Sequence, residues 1–162
     1  MWKSQAFLLA LTISISLHAQ TFVADGPKYL DKTVGQISDL NVRADNRLIE
    51  RSDMYELADP GKFERGKKTD DLLLIYADSI TSITHSFLMT KSGDSLKCSE
   101  YFVNITDKSL YSNYLRKILE RCRVETKDHA VQIFHGDKYF WNFIGFEGNS
   151  GGQISCSKGN SR

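Results

Sequence analysis

Histidine, lysine and cysteine are the side chains through which this chain could carry acid–base or nucleophilic chemistry, and they are sparse. Histidine occurs four times, at positions 18, 85, 129 and 135. Two imidazoles with a lysine could cleave a phosphodiester, one taking a proton from the nucleophile while the other delivers one to the leaving group. Lys138 stands close to His135 for such a role. Spacing alone brings no pair together, because His135 falls in a turn sequence and His129 just ahead of a strand sequence. The three cysteines, Cys98, Cys122 and Cys156, follow no zinc-ligand spacing and form no CxxC. A cysteine nucleophile needs a thiolate beside an imidazole, whereas thiols of exported proteins are more commonly bridged or buried. The sequence therefore predicts no metal site, no cofactor and no catalytic residue.

The sharpest motif is Gly148-Asn149-Ser150-Gly151-Gly152. It resembles the G-[DN]-S-G-G segment around the nucleophile of chymotrypsin-like and HtrA-like serine proteases, and Ile83-Thr84-His85-Ser86 faintly resembles their histidine segment. The resemblance would imply Ser150 as nucleophile, His85 as base and backbone N–H groups as an oxyanion hole. It covers only about five residues, and the two six-stranded barrels of that family cannot be built from a chain of this length. Gly-Asn-Ser-Gly-Gly is also ordinary loop composition, so a polar connection is expected here. Asn104-Ile105-Thr106 has the form of a glycosylation acceptor, a triplet that matters only in a eukaryotic source.

The N-terminus points to export. Met1-Trp2-Lys3 supplies a positive charge, Ala6–Leu17 is uncharged and mostly apolar, and Leu17-His18-Ala19 offers a small residue for cleavage. That order predicts a signal peptide over residues 1–19, too short to span a bilayer, and a single globular domain over 20–162, in the periplasm or outside the cell. Without Lys3 the 21 basic residues equal the 20 acidic ones. A balance of this kind excludes a general nucleic-acid or membrane-surface binder.

These residues need elements to position them. The densest aromatic stretch, Ala130–Phe146, is interrupted by His135-Gly136-Asp137-Lys138 and predicts a β-hairpin. Tyr139, Trp141 and Phe143 share one face of its second strand and Phe140, Ile144 and Phe146 the other, a pattern expected of an interior strand covered on both sides. Asp107–Arg123 predicts an amphipathic helix, capped by Thr106 or Asp107, with Leu110, Tyr111, Tyr114, Leu115, Ile118, Leu119 and Cys122 on its apolar face. Ile83–Thr90 and Leu96–Ile105 predict a hairpin across Lys91–Ser95, with Ile83, His85, Phe87 and Met89 on one face. A strand is also preferred over a helix for Leu72–Ile80. Thr33–Leu57 supports either an N-terminal helix on Ile37, Leu40, Ala44 and Leu48 or short strands around Leu48-Ile49 and Met54–Leu57. Ala58-Asp59-Pro60-Gly61 marks a break before a charged loop over Lys62–Asp71, and Gln153–Ser157 closes the chain as a short strand. No internal repeat is visible. The fold class expected is α+β, a largely antiparallel sheet with one clear helix packed on it.

A disulfide between Cys98 and Cys122 follows from that packing. The strand from Cys98 to Ile105 advances ~23 Å, and a helix from Ser109 to Cys122 returns ~20 Å. Cys156 is the competing partner. In function, a small exported binding or interaction protein is expected, an inhibitor or immunity-type protein with a protein partner. Tyr139, Trp141 and His135 are its candidate contact residues, and the aromatic strand would serve as platform. The rival is a small secreted hydrolase using one of the histidines or Ser150.

Overall fold

A computed structural model describes residues 23–59, 64–79, 81, 83–127 and 130–159. The signal-peptide stretch, His129 and part of the expected break at Ala58–Gly61 lie outside them. The described residues form an eight-stranded antiparallel sheet with two full α-helices, an α+β architecture. Helix α1 (Val34–Arg43) leads into β1 (Asn46–Asp59), β2 (Glu64–Asp78), β3 (Ile83–Ser92) and β4 (Ser95–Ile105). Helix α2 (Lys108–Leu119) leads into β5 (Arg123–Lys127), β6 (Ala130–His135), β7 (Tyr139–Gly145) and β8 (Gly152–Lys158). The strands lie in the order β1-β2-β3-β4-β8-β7-β6-β5. Each half is thus a helix followed by a four-stranded meander, and the halves meet back to back where β4 pairs with β8. The sequence shows no repeat, but the order of elements does.

Side-chain alternation places the core on one face of the sheet. Ile83, His85, Phe87 and Met89 of β3 are buried there, beside Tyr101, Val103 and Ile105 of β4 and Ile154 and Cys156 of β8. Helix α1 adds Ile37, and α2 adds Tyr114 and Ile118. Both helices start on side-chain caps. Thr33 and Gln36 close a reciprocal capping box on α1, and Asp107 accepts the Leu110 N–H at 2.8 Å on α2. Asn41 and Asn46, both buried, tie the end of α1 to the start of β1 through Nδ2–Oδ1 at 3.0 Å. Ahead of α1 the segment Val23–Lys32 crosses the same face as a strap. Its Tyr29 packs edge-on against Phe87 and Tyr101, and its backbone exchanges hydrogen bonds with Cys98, Asp31 N–H to Cys98 O and Cys98 N–H to Lys32 O, each at 2.9 Å.

Several expectations are corrected. The part of the charged loop that is described, from Glu64, is the first half of β2, paired to β1. No core has to cover this ribbon, so charged side chains are tolerated and pair across it, Lys68 with Asp53 at 2.7 Å and Arg65 over the Tyr55 ring at 4.3 Å. The helix expected to reach Arg123 ends at Leu119, and Arg123 already opens β5. β-Branched Val124 and Thr126 suit that strand, the element the sequence hid best. The aromatic hairpin forms as expected, but β7 is covered on one face only. Trp141 is buried while Ile144 is 57% exposed.

The disulfide is also corrected. Cys98, Cys122 and Cys156 are all free, and no pair stands at bonding distance. The expected geometry laid the helix back along its own strand. Instead β8 lies beside β4, with Cys156 opposite Tyr101, and α2 packs over both strands, its Tyr111 ring against Gly152. The return path therefore does not bring Cys122 back to Cys98.

Candidate functional site

The side of the sheet away from the helices and the strap is built from the alternate residues of the same strands. Its middle row runs Ile75, Ser86, Phe102, Ser155 and Asn142 across β2, β3, β4, β8 and β7. A second row runs Leu73, Leu88, Glu100, Ser157 and Phe140, and a third Ala77, Thr84, Asn104, Gln153 and Ile144. Of these fifteen side chains only Glu100 is ionisable, although a quarter of the whole chain (25%) is charged. A face meant only for water would carry Lys and Glu, and a face meant for the core would carry only aliphatics. This one mixes aromatic and aliphatic side chains with neutral hydroxyls and amides. Gln153 Nε2 donates to Asn104 Oδ1 at 3.0 Å, which fixes both amides in the third row. At the far end Arg123 lies over the Phe134 ring at 5.3 Å and screens its outer side. Among the described residues, no helix or strap segment joins this face; the core cluster draws on the opposite one.

The residues singled out from the sequence fall elsewhere. Trp141 is 2% exposed, on the covered face, with its ring against Gly26 of the strap. Tyr139 is half-buried on that face and His135, also half-buried, ends β6 at the turn into β7. Of the aromatic hairpin it is Phe140, Ile144 and Phe134 that belong to the open side, not Tyr139 or Trp141. The signal that marks the open face is the alternation of neutral polar residues with core residues, Ser86 in β3, Asn104 in β4, Asn142 in β7 and Ser155 in β8. It becomes a surface only once β8 is known to pair with β4.

Among the described residues the protease-like constellation is not assembled. Ser150 Oγ donates to Glu147 O at 2.9 Å within an exposed turn. His85, the base that the protease-like reading requires, is 1% exposed inside the core, its Nδ1 2.9 Å from the Tyr101 hydroxyl. Burial holds its pKa down at about 4, against the opposing influence of Asp78, so the ring is neutral at ordinary pH. Gly151 turns the chain at φ 88, where a β-carbon would lie 2.0 Å from the Ile105 oxygen, so the glycine there serves the backbone. Burial also pushes the Cys98 thiol up to about 12 and raises those of Cys156 and Cys122, the reverse of what a nucleophile needs. Among the described residues no group of three or more His, Cys, Asp or Glu side chains could hold a metal ion. Asn104 of the glycosylation triplet sits within a central strand with its amide engaged by Gln153. No helix among the described residues is long and apolar enough to cross a membrane.

Comparison with protein-family models, curated proteins and solved structures returns no match.

Proposed function

We propose that this chain is an exported binding protein that engages a protein partner through the open face of its sheet, as an inhibitor or immunity-type protein does, without catalysing a reaction. Export rests on the charged, apolar and small-residue order of Met1–Ala19. The observation that carries the binding reading is the open face itself. Its rows combine Phe102, Phe140, Ile75 and Leu88 with Asn142, Asn104 and Gln153 around the buried Ser86 and Ser155, and they carry a single ionisable side chain. Protein interfaces are aromatic and depleted in charge at their centre. A sheet hydrogen-bonded from β1 to β5 also presents the rows with little backbone freedom left to lose on association.

The experiment is a paired capture from the envelope fraction, using the native sequence and a variant carrying Asn142→Lys and Ile144→Lys. Asn142 is exposed and Ile144 more than half exposed, so both charges can be solvated in the free protein. A partner retained by the native face and lost from the variant, with unchanged thermal transitions, supports the reading. Equal retention by both would remove the open face from the interface.

A further inference from the structure

Resting on the reading that a protein covers the open face, we propose that this partner seats an arginine on Glu100, the one carboxylate in its rows. Glu100 lies in β4, the middle strand of the five, between Leu88 of β3 and Ser157 of β8. The row continues to Leu73 of β2 and Phe140 of β7, so aliphatic, aromatic and hydroxyl side chains surround the acid. Glu100 is half-buried. Among the described residues no ion pair and no hydrogen bond engages its carboxylate. The Cys98 thiol donates only to its backbone carbonyl, at 3.4 Å.

The cations on neighbouring strands do not neutralise it. Lys97 lies opposite Thr90, one step nearer the rim, and forms no ion pair with Glu100. Lys91 is engaged by Asp70 at 2.9 Å and Lys158 by Asp31. The thiols of Cys98 and Cys156, on the covered side, feel the carboxylate but stay protonated and neutral. In the free protein, water solvates the exposed part of the acid. A partner that covers these rows removes that water. An ion desolvated without a counter-charge costs more than the apolar contacts around it return. Covering this face is therefore favourable only when the cover brings a cation.

The chemistry of the site selects arginine carried by a protein. A guanidinium pairs with a carboxylate through two parallel N–H bonds and gives up its hydration more readily than an ammonium does. Phe102, two residues along β4 on the same side, offers a ring over which the planar group can lie. Leu73, Leu88, Ile75 and Phe140 suit the apolar surroundings of a buried arginine anchor. The same carboxylate repels the phosphates of a nucleic acid or an anionic lipid. Glu100 thus favours protein surfaces that set one cation within an apolar patch over surfaces that are broadly basic.

The test selects random peptides displayed on phage against the unsubstituted chain. Each enriched peptide is then measured on that chain, on Glu100→Gln, and on the variant carrying Asn142→Lys and Ile144→Lys. Peptides that the lysine variant no longer binds report the open face. These should carry an arginine, and replacing either that arginine or Glu100 by glutamine should weaken binding about tenfold. The two replacements together should cost no more than either alone, since each removes the same pair. If Glu100→Gln does not fold, NMR of the unsubstituted chain decides: the peptide must shift the Leu88, Glu100 and Ser157 amides, and its arginine-to-glutamine form must not. Open-face peptides that lack arginine, that bind Glu100→Gln as tightly, or that show additive losses overturn the arginine anchor and leave the open face as the binding surface. A selection that yields no peptide sensitive to the lysine variant overturns both.

Discussion

Gly26 and Trp141 stand so close that a β-carbon on Gly26 would lie 2.4 Å from Cη2 of the indole. The strap is thus fitted to the one tryptophan of the sheet by the absence of a side chain. Alanine at position 26 has to displace a ring that is 2% exposed and packed on all sides, so overpacking should cost about 1–3 kcal/mol. Gly35, whose β-carbon would meet nothing within 4 Å, provides the control: Gly35→Ala in α1 should be neutral or stabilising by about 0.5–1 kcal/mol. Urea unfolding of the two variants checks the contrast, and equal stabilities would mean that the strap does not seat on Trp141.

The protease-like motif yields a second contrast between neighbours. Ser150→Ala removes a hydroxyl that bonds one carbonyl in an exposed turn, and the change in stability should stay within about 0.5 kcal/mol. Gly151→Ala places a β-carbon 2.0 Å from the Ile105 oxygen at φ 88. Strain and displacement together should cost about 3 kcal/mol or more. Stability to urea separates them. A nucleophilic serine would reverse the pattern in activity, with Ser150→Ala silent in folding and total in its effect on turnover.

Three parts of this fold were readable because their patterns are local. The β3–β4 hairpin, the core of α2 and the β6–β7 hairpin each rest on a period and a turn within about twenty residues. The open face was not readable. Phe102 and Ser155 are neighbours only because β8 returns to β4 across more than fifty residues, and no local pattern announces that pairing. The strap escaped for a related reason: Gly26-Pro27 reads as an extended segment, while its partners Tyr101 and Trp141 lie far along the chain. Aromatic density makes Trp141 a candidate contact residue because it does not tell which face the strap covers. Solvent exposure of Ile144 follows from the same ambiguity resolved the other way.

The pH profile of stability should have a plateau with losses on both sides. His85 has a folded pKa of about 4, below the 6.5 of a solvated ring, so the unfolded chain takes up its proton first as pH falls. Stability is fully present above 6.5 and declines until about 4, by up to about 3 kcal/mol at 1.36 kcal/mol per unit. On the alkaline side Cys98 has a folded pKa of about 12 against 9.0, so the unfolded chain loses that proton first and stability falls as pH rises between them. Tyr101 and Cys156, raised in the same direction by burial, steepen the alkaline fall. Thermal transitions measured across this range check the profile. His85→Phe should flatten the acid limb and leave the alkaline limb in place; an acid limb unchanged in that variant would assign it to the carboxylates instead.

The cysteines give the last prediction. Cys98 and Cys156 are 1% and 0% exposed, Cys122 is half-buried, and all three thiols are free with pKa values raised by burial. A thiol held in its protonated form inside a core neither attacks a disulfide nor meets an oxidant until the surrounding structure opens. In the folded protein Cys122 should therefore react first with an alkylating reagent, with Cys98 and Cys156 following only at the rate at which the sheet opens. Non-reducing peptide mapping should find no linked pair, and a reductant should leave the unfolding transition where it is. A Cys98–Cys122 peptide, with a loss of about 3 kcal/mol on reduction, would instead require α2 to lie along β4 and would displace β8 from its place in the sheet.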